Sequence, residues 1–226
     1  MTDTTNHARG DLQAGRSCGW WGLAFVLLLL GSAAMVTAPG RGTADAAARS
    51  FYSANVGVIL LAQVIGLLAA AAFVAFAKGL DGRQVQSGRD MPRSSVALAG
   101  WSVALAAGLT AVPVLWLSAV AQNAGSAMLH ALLAASDLTD MVLFAAITTF
   151  ALATAAAARD RWVSIWALVV GALAAARALL LLFRSDALEM VAPMAFLSLV
   201  LLLSAAALAR RPLLRPRPAS PRVAEL

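Results

Sequence analysis

Arg177, Glu189, Asp137, Asp140 and His130 are the side chains whose types could support proton transfer, charge pairing or ligand binding in this otherwise apolar chain. Asp137 and Asp140, spaced three apart, would suit general acid–base work at a membrane face, with His130 as a third group. Arg177 is a single cation within a long apolar run. An ionisable group at membrane depth is a functional hypothesis with a partner to be named, and Glu189, Asp186, Asp137 and Asp140 are the candidates for a bidentate arginine–carboxylate pair. Three readings of Arg177 stay open: a structural pair, a side chain that snorkels alone to the headgroups, and part of an ion or substrate site. The acids have a structural reading of their own. Asp137-x-x-Asp140 and Asp186-x-x-Glu189 stand where two helices are expected to begin, with Ser136 and Ser185 beside them, as caps and first-turn acids would. His130 fits an interfacial side chain as well as a ligand. The other histidine is His7, no HExxH is present, and a metal site is not expected.

The elements that must position these residues are set by hydropathy. Roughly 20 apolar residues of helix cross a hydrocarbon core about 30 Å thick. Stretches 19–39, 56–77, 95–121, 138–158, 162–183 and 188–209 meet that length. With no water at that depth, each must satisfy its own backbone as a helix, and no period-2 alternation suggests a barrel. The expected class is therefore all-α, a polytopic membrane protein with a bundle of six transmembrane helices. Three regions follow: a disordered N-terminus (1–18), the six-helix domain (19–209) and a basic, proline-rich tail (210–226). The first helix has the arginine-bearing start and the Val36-Thr37-Ala38 end of a secretory signal. Its apolar run is long for a signal core, and Pro39 follows the cleavage position, so it is read as retained.

Apolar residues make up 61% of the chain and charged ones 12%, which leaves no room for a separate soluble domain. The net charge of +6 would suit nucleic acid if it were clustered. Instead, thirteen of the seventeen basic residues fall at the N-terminus, in the 78–94 loop, at Arg159 and Arg161, and in the tail. Arg41, Arg49 and Arg184 fall in the alternate loops, and Arg177 lies within a helix. That bias places both termini in the cytoplasm, which an even number of spans requires. The partners expected are the lipid bilayer and a membrane protein, not nucleic acid. The preference for alanine and arginine over isoleucine and lysine suits a high-GC bacterial genome, hence a bacterial cytoplasmic (inner) membrane. The lone Cys18 makes no intramolecular disulfide, and no phosphate-binding, dinucleotide, nucleophile-elbow or CxxC motif occurs. No cofactor is expected.

Smaller features add expectations. Small-xxx-small spacings at Gly66/Ala70, Ala104/Gly108 and Gly171/Ala175 would allow close helix packing. Residues 62–71 align without gaps on 167–176, in helices of opposite direction, as an inverted repeat or a shared Ala/Leu bias would give. The apolar stretch 127–135 is too short to span and is expected as a separate half-helix at the outer leaflet, a cap on the bundle or a lid over a cavity. Asp45, Arg49 and Tyr52 share one face of a short outer extension of the second helix. Gln63, Thr148 and Thr149 can bond neighbouring helices or their own backbone. Pro113 and Pro193 are expected kinks, and the six tryptophans an interfacial belt.

The chain resembles a family of six-helix integral membrane proteins of actinobacteria, grouped as a domain of unknown function. The residues that carry the resemblance are Arg49-x-x-Tyr52-x-x-Asn55, Ser136-Asp137-Leu138-Thr139-Asp140, Arg161-Trp162 and Leu188-Glu189-x-x-Ala192-Pro193, within about residues 15–210. The resemblance implies the six-helix fold and assigns no activity or site residue. Three functions remain open: a non-enzymatic accessory, sensory or envelope component; a small-solute or proton-coupled transporter with Arg177 and Glu189 in its pathway; and an intramembrane lipid-modifying enzyme using Asp137, Asp140 and His130.

Overall fold

In a computed structural model, which describes residues 4–37, 39, 43–82, 95–183 and 185–209, the chain folds into seven helices. These are α1 (Thr4–Met35), α2 (Asp45–Ala54), α3 (Val56–Gly82), α4 (Ser95–Val120), α5 (Ser126–Ala157), α6 (Arg161–Leu182) and α7 (Val191–Leu208). All but α2 are long and apolar enough to cross a membrane. Each of these six packs on two neighbours in the order α1, α3, α4, α5, α6, α7, and α7 closes the ring on α1. The tail, Arg41, Arg83, Arg89, Arg93 and Arg184 lie outside the described residues.

The centre of the ring is aromatic. Phe73 of α3 meets Phe25 of α1 at 4.9 Å between ring centroids, Phe150 of α5 at 5.1 Å and Phe196 of α7 at 5.6 Å. Phe76 flanks it at 6.0 Å. Most of these pairs are tilted or edge-on, the arrangement the ring quadrupole favours. Phe25 lies at the middle of the 17–35 span, so the plug stands at about mid-bundle. Lipid tails are as apolar as these rings, so the packing is held by close contact and not by exclusion of water.

The closest helix approaches do not use the glycines expected. A side chain on Gly22 would run into Ser204 and Phe76, one on Gly100 into Ala77, and one on Gly79 into Cys18 at 2.7 Å. At Gly66, Gly108 and Gly171 the nearest atoms stand at 3.7, 3.8 and 3.5 Å, ordinary contact distances. These glycines face a short side chain or a ring of the neighbouring helix directly, and spacing along one helix does not report that.

Four boundaries differ from expectation for identifiable reasons. α1 begins at Thr4, inside the stretch expected to be disordered; extending a helix already formed requires no new nucleation. α5 is one helix of 32 residues from Ser126, about 48 Å long, so the expected half-helix 127–135 and the fourth span are continuous. No glycine or proline separates them, and a serine and two aspartates cost too little helix propensity to break a helix. Asn55 interrupts the outer extension of the second span, leaving α2 separate; its Nδ2 donates to the Phe51 carbonyl at 2.8 Å. α7 starts at Val191, which puts Pro193 in the first turn. There its missing N–H costs nothing and no kink is required, whereas Pro113 lies inside α4 as expected.

Candidate functional site

The polar residues singled out from the sequence lie at the end of the bundle that carries α2, the start of α5, the end of α6 and the start of α7. The structure brings them together only in part.

Arg177 lies five residues from the end of α6, about 7.5 Å inside it, and is 5% exposed. Its partners are backbone carbonyls: Nη1 donates to the Ser185 oxygen at 2.6 Å and to the Ala187 oxygen at 3.1 Å. The reason lies in α7. With 18 residues it is about 27 Å long, short of the hydrocarbon thickness. The turn that precedes it is non-helical, so its carbonyls have no partner within a helix and need donors from elsewhere in the protein. The guanidinium supplies them. Among the described residues the expected arginine–carboxylate pair does not form, and Glu189 is exposed.

The same turn holds Leu188 at φ 64°, a left-handed conformation that disfavours branched side chains. Such strain persists where surrounding contacts over-determine the backbone. Here Arg177 grips the carbonyls on its N-terminal side, and the Ala187 N–H donates to the Ser185 hydroxyl at 3.3 Å. Asp186 and Glu189 are linked through the backbone, the Glu189 N–H donating to the Asp186 carbonyl. Neither caps α7: its N-cap is Met190, without a side-chain hydrogen bond.

On α5 the capping reading of Ser136, Asp137 and Asp140 also falls, because the helix starts ten residues before Ser136. Its N-cap is Gly125, with no side-chain bond. At 100° per residue, Ser136 and Asp140 lie within about 20° of the line through Leu129 and Ile147, while Asp137 is turned by about 80°. Leu129, Ile147, Phe150 and Thr154 are buried, so Ser136 and Asp140 belong to the inward stripe. His130 is about 15 Å along the helix axis from Asp140 and on another face. One cleft joining His130, Asp137 and Asp140 is thus not formed. His130 meets α2 instead: its Nε2 stands 3.1 Å from Asp45 Oδ1. Asp45 therefore reaches across to α5, not along its own helix to Arg49.

Beneath that contact lies a second, smaller core of Ala48, Tyr52, Ile59, Leu117, Ala121 and Leu129. Burial there pushes the Tyr52 phenol above its ordinary 10.0. Four buried polar atoms have no hydrogen-bond partner among the described residues: Arg49 Nε, Ser136 Oγ, Thr154 Oγ1 and Arg177 Nε.

Mid-bundle polar groups are absorbed by backbone. Thr148 donates to Phe144 O at 2.9 Å and approaches Gly171 O on α6 at 3.4 Å, and Thr149 donates to Ala145 O. Ser204 donates to Val200 O, and the Cys18 thiol to Phe76 O at 3.4 Å. Gln63 is half-buried. The opposite end carries the tryptophans: Trp20, Trp21, Trp101, Trp162 and Trp166 are exposed there, and Trp116 lies toward the other end. Lys78 Nζ sits 4.8 Å over the Trp101 ring. Asp160 caps α6, its carboxylate accepting from the Trp162 N–H at 2.9 Å.

Sequence reasoning missed Asp45–His130, the phenylalanine plug and the buried Thr154 and Ser204. A polar contact between residues 85 apart leaves no trace in local spacing, and a phenylalanine facing lipid reads the same as one facing the core. Asp160, directly before the apolar run of α6, was the one such feature with a readable cap signal. Compared with protein-family models, curated proteins and solved structures, the chain finds no match.

Proposed function

We propose that this is a multi-pass protein of a bacterial cytoplasmic membrane that acts without catalysis, as an accessory, sensory or envelope component working through helix and lipid contacts. The observation that carries this reading is the interlocked cluster of Phe25, Phe73, Phe150 and Phe196 across the middle of the helix ring. A transporter of small polar solutes needs a polar route past mid-membrane, and an aromatic plug opposes one. Arg177, the first choice for a pathway residue, is engaged by loop carbonyls. The lipid-modifying reading needs His130 and Asp140 in one cleft, and the two lie about 15 Å apart along one continuous helix.

The orientation proposed has both termini in the cytoplasm, supported by the bias of basic residues among the loops. The end bearing α2 and the start of α5 then faces outward. Cys18 is the sole cysteine and is 1% exposed, which favours a thiol test. Ser126→Cys in intact cells should react with a membrane-impermeant maleimide added outside. Labelling only after the inner face is opened would reverse the topology.

The function itself is tested by mass spectrometry of whatever co-purifies with the tagged full chain from its native membrane in mild detergent. A stoichiometric protein partner is expected. A partner-free protein carrying one bound small molecule would overturn the accessory reading in favour of transport, and one carrying a single lipid class would do so in favour of lipid chemistry.

A further inference from the structure

We infer that α2 is a hinged lid on the outer end of the bundle, latched in a pH-dependent way by Asp45 and His130. Four observations converge. First, α2 is short and separately hinged: Asn55 breaks the helix with φ −108° and ψ 16° before α3 begins at Val56. Second, its attachment is small. Ala48 and Tyr52 are its buried residues, resting on Ile59, Leu117, Ala121 and Leu129. The six spanning helices each pack along two neighbours in the ring; α2 rests much more lightly, chiefly on α3, α4 and the start of α5. Third, the closed position leaves Arg49 Nε buried without a partner, a cost that opening removes, because water satisfies the group. Fourth, among the described residues the polar contact between α2 and α5 is the 3.1 Å approach of His130 Nε2 to Asp45 Oδ1, made by side chains 66% and 37% exposed.

The latch follows from the two groups. An imidazole is the side chain that ordinarily changes charge between about pH 5 and 8. Protonated, it faces the Asp45 carboxylate as an ion pair; neutral, it retains at most one N–H donation to that carboxylate, without the attraction of opposite charges. The clasp is therefore strongest where imidazolium and carboxylate coexist, and it weakens as pH rises through the imidazole range. Among the described residues, the charged and titratable groups around it are few. On α2 they are Asp45 itself, Arg49 one turn on, and Tyr52. On α5, Asp137 lies two turns beyond His130. The described ends of α3 and α4 beside it present Asn55, Gln122 and Asn123, none of which titrates in this range. Since both partners of the clasp are partly exposed, its effect is modest and matters only because the lid is lightly held.

Amide hydrogen exchange on the full chain in lipid nanodiscs, at pH 5.5 and 8.0 and corrected for intrinsic rates, tests this. Peptides from 45–54 should be a few-fold better protected at pH 5.5, while peptides from 69–77 should show no difference. His130→Gln and Asp45→Asn, both at partly exposed side chains, should each abolish the pH difference in α2 and leave 69–77 as in the parent. Protection of α2 that is independent of pH would overturn the latch, as would a pH difference that survives in either variant. Exchange of α2 as slow as that of 69–77 at both pH values would overturn the lid.

Discussion

At the scale of single residues, the chain places charge where it completes backbone hydrogen bonding. Arg177 serves the carbonyls of Ser185 and Ala187. Arg177→Leu should therefore lower stability in detergent by about 2–4 kcal/mol, because two carbonyls lose a buried, charged donor. Glu189→Gln should be near neutral. In a double-mutant cycle the two should add to within about 0.5 kcal/mol, as sites without a shared partner do; a coupling well above that would restore the carboxylate pair. Tyr52 allows a second test, because it is the only tyrosine. Burial raises its phenol above 10.0, so the folded state favours the protonated form. That contribution to stability is whole below the ordinary value and is lost as pH rises through the folded one. Ultraviolet titration should find the phenolate forming above pH 10.0 in the folded protein and at the ordinary value after denaturation.

At the scale of elements, the length of α5 matters most. A helix of about 48 Å exceeds the hydrocarbon thickness by more than ten residues, and the excess, at its N-terminal end, forms the wall on which α2 rests. The continuity of α5 through Ser136 can be checked by substitution. A proline at the first position of a helix is harmless, whereas one in the interior costs about 3 kcal/mol or more. Asp137→Pro should thus destabilise the bundle by at least that amount in a denaturation titration; near-neutral behaviour would mean that a helix begins there. The shortness of α7 is the complementary fact. The segment before it is strained at Leu188, and the arginine on α6 satisfies the carbonyls there. The excess of α5 and the deficit of α7 lie at the same end, so the polar features of the protein collect there.

At the scale of the molecule, a closed ring of six helices must fill its own axis. It does so with phenylalanine from four different helices, Phe25, Phe73, Phe150 and Phe196, with Phe76 beside them. Phe73→Ala should cost about 3–5 kcal/mol, since the surrounding helices cannot collapse into the gap. Leu105→Ala, on a face 68% exposed toward lipid, should cost far less in the same assay. Gly22→Leu should prevent the α1–α7 contact from forming, because Ser204 and Phe76 already occupy the space. The aligned segments 62–71 and 167–176 bury matching positions, Ala62 with Ala167 and Ala69 with Ala174. A seven-residue repeat of small residues on one buried face gives that agreement without a duplication.

How much of this was legible beforehand follows from which forces are local. The transfer of apolar side chains out of water is a sum over a segment, so the number, order and approximate limits of the six spans could be read from hydropathy, and the all-α class with them. Arg177 could be named as a buried charge needing a partner because nothing else near it in the chain is charged. Its partner could not be named. Carboxylates and backbone carbonyls compete for a guanidinium, and the outcome depended on α7 beginning only at Val191, after a non-helical turn. The starts of α5 and α7 were misplaced because serine and aspartate favour caps only where a helix is otherwise free to begin. The contact of Asp45 with His130, the phenylalanine plug and the glycines at Gly22 and Gly100 were decided by which faces the ring turned toward one another. That choice is made by packing between distant segments, on which local spacing is silent.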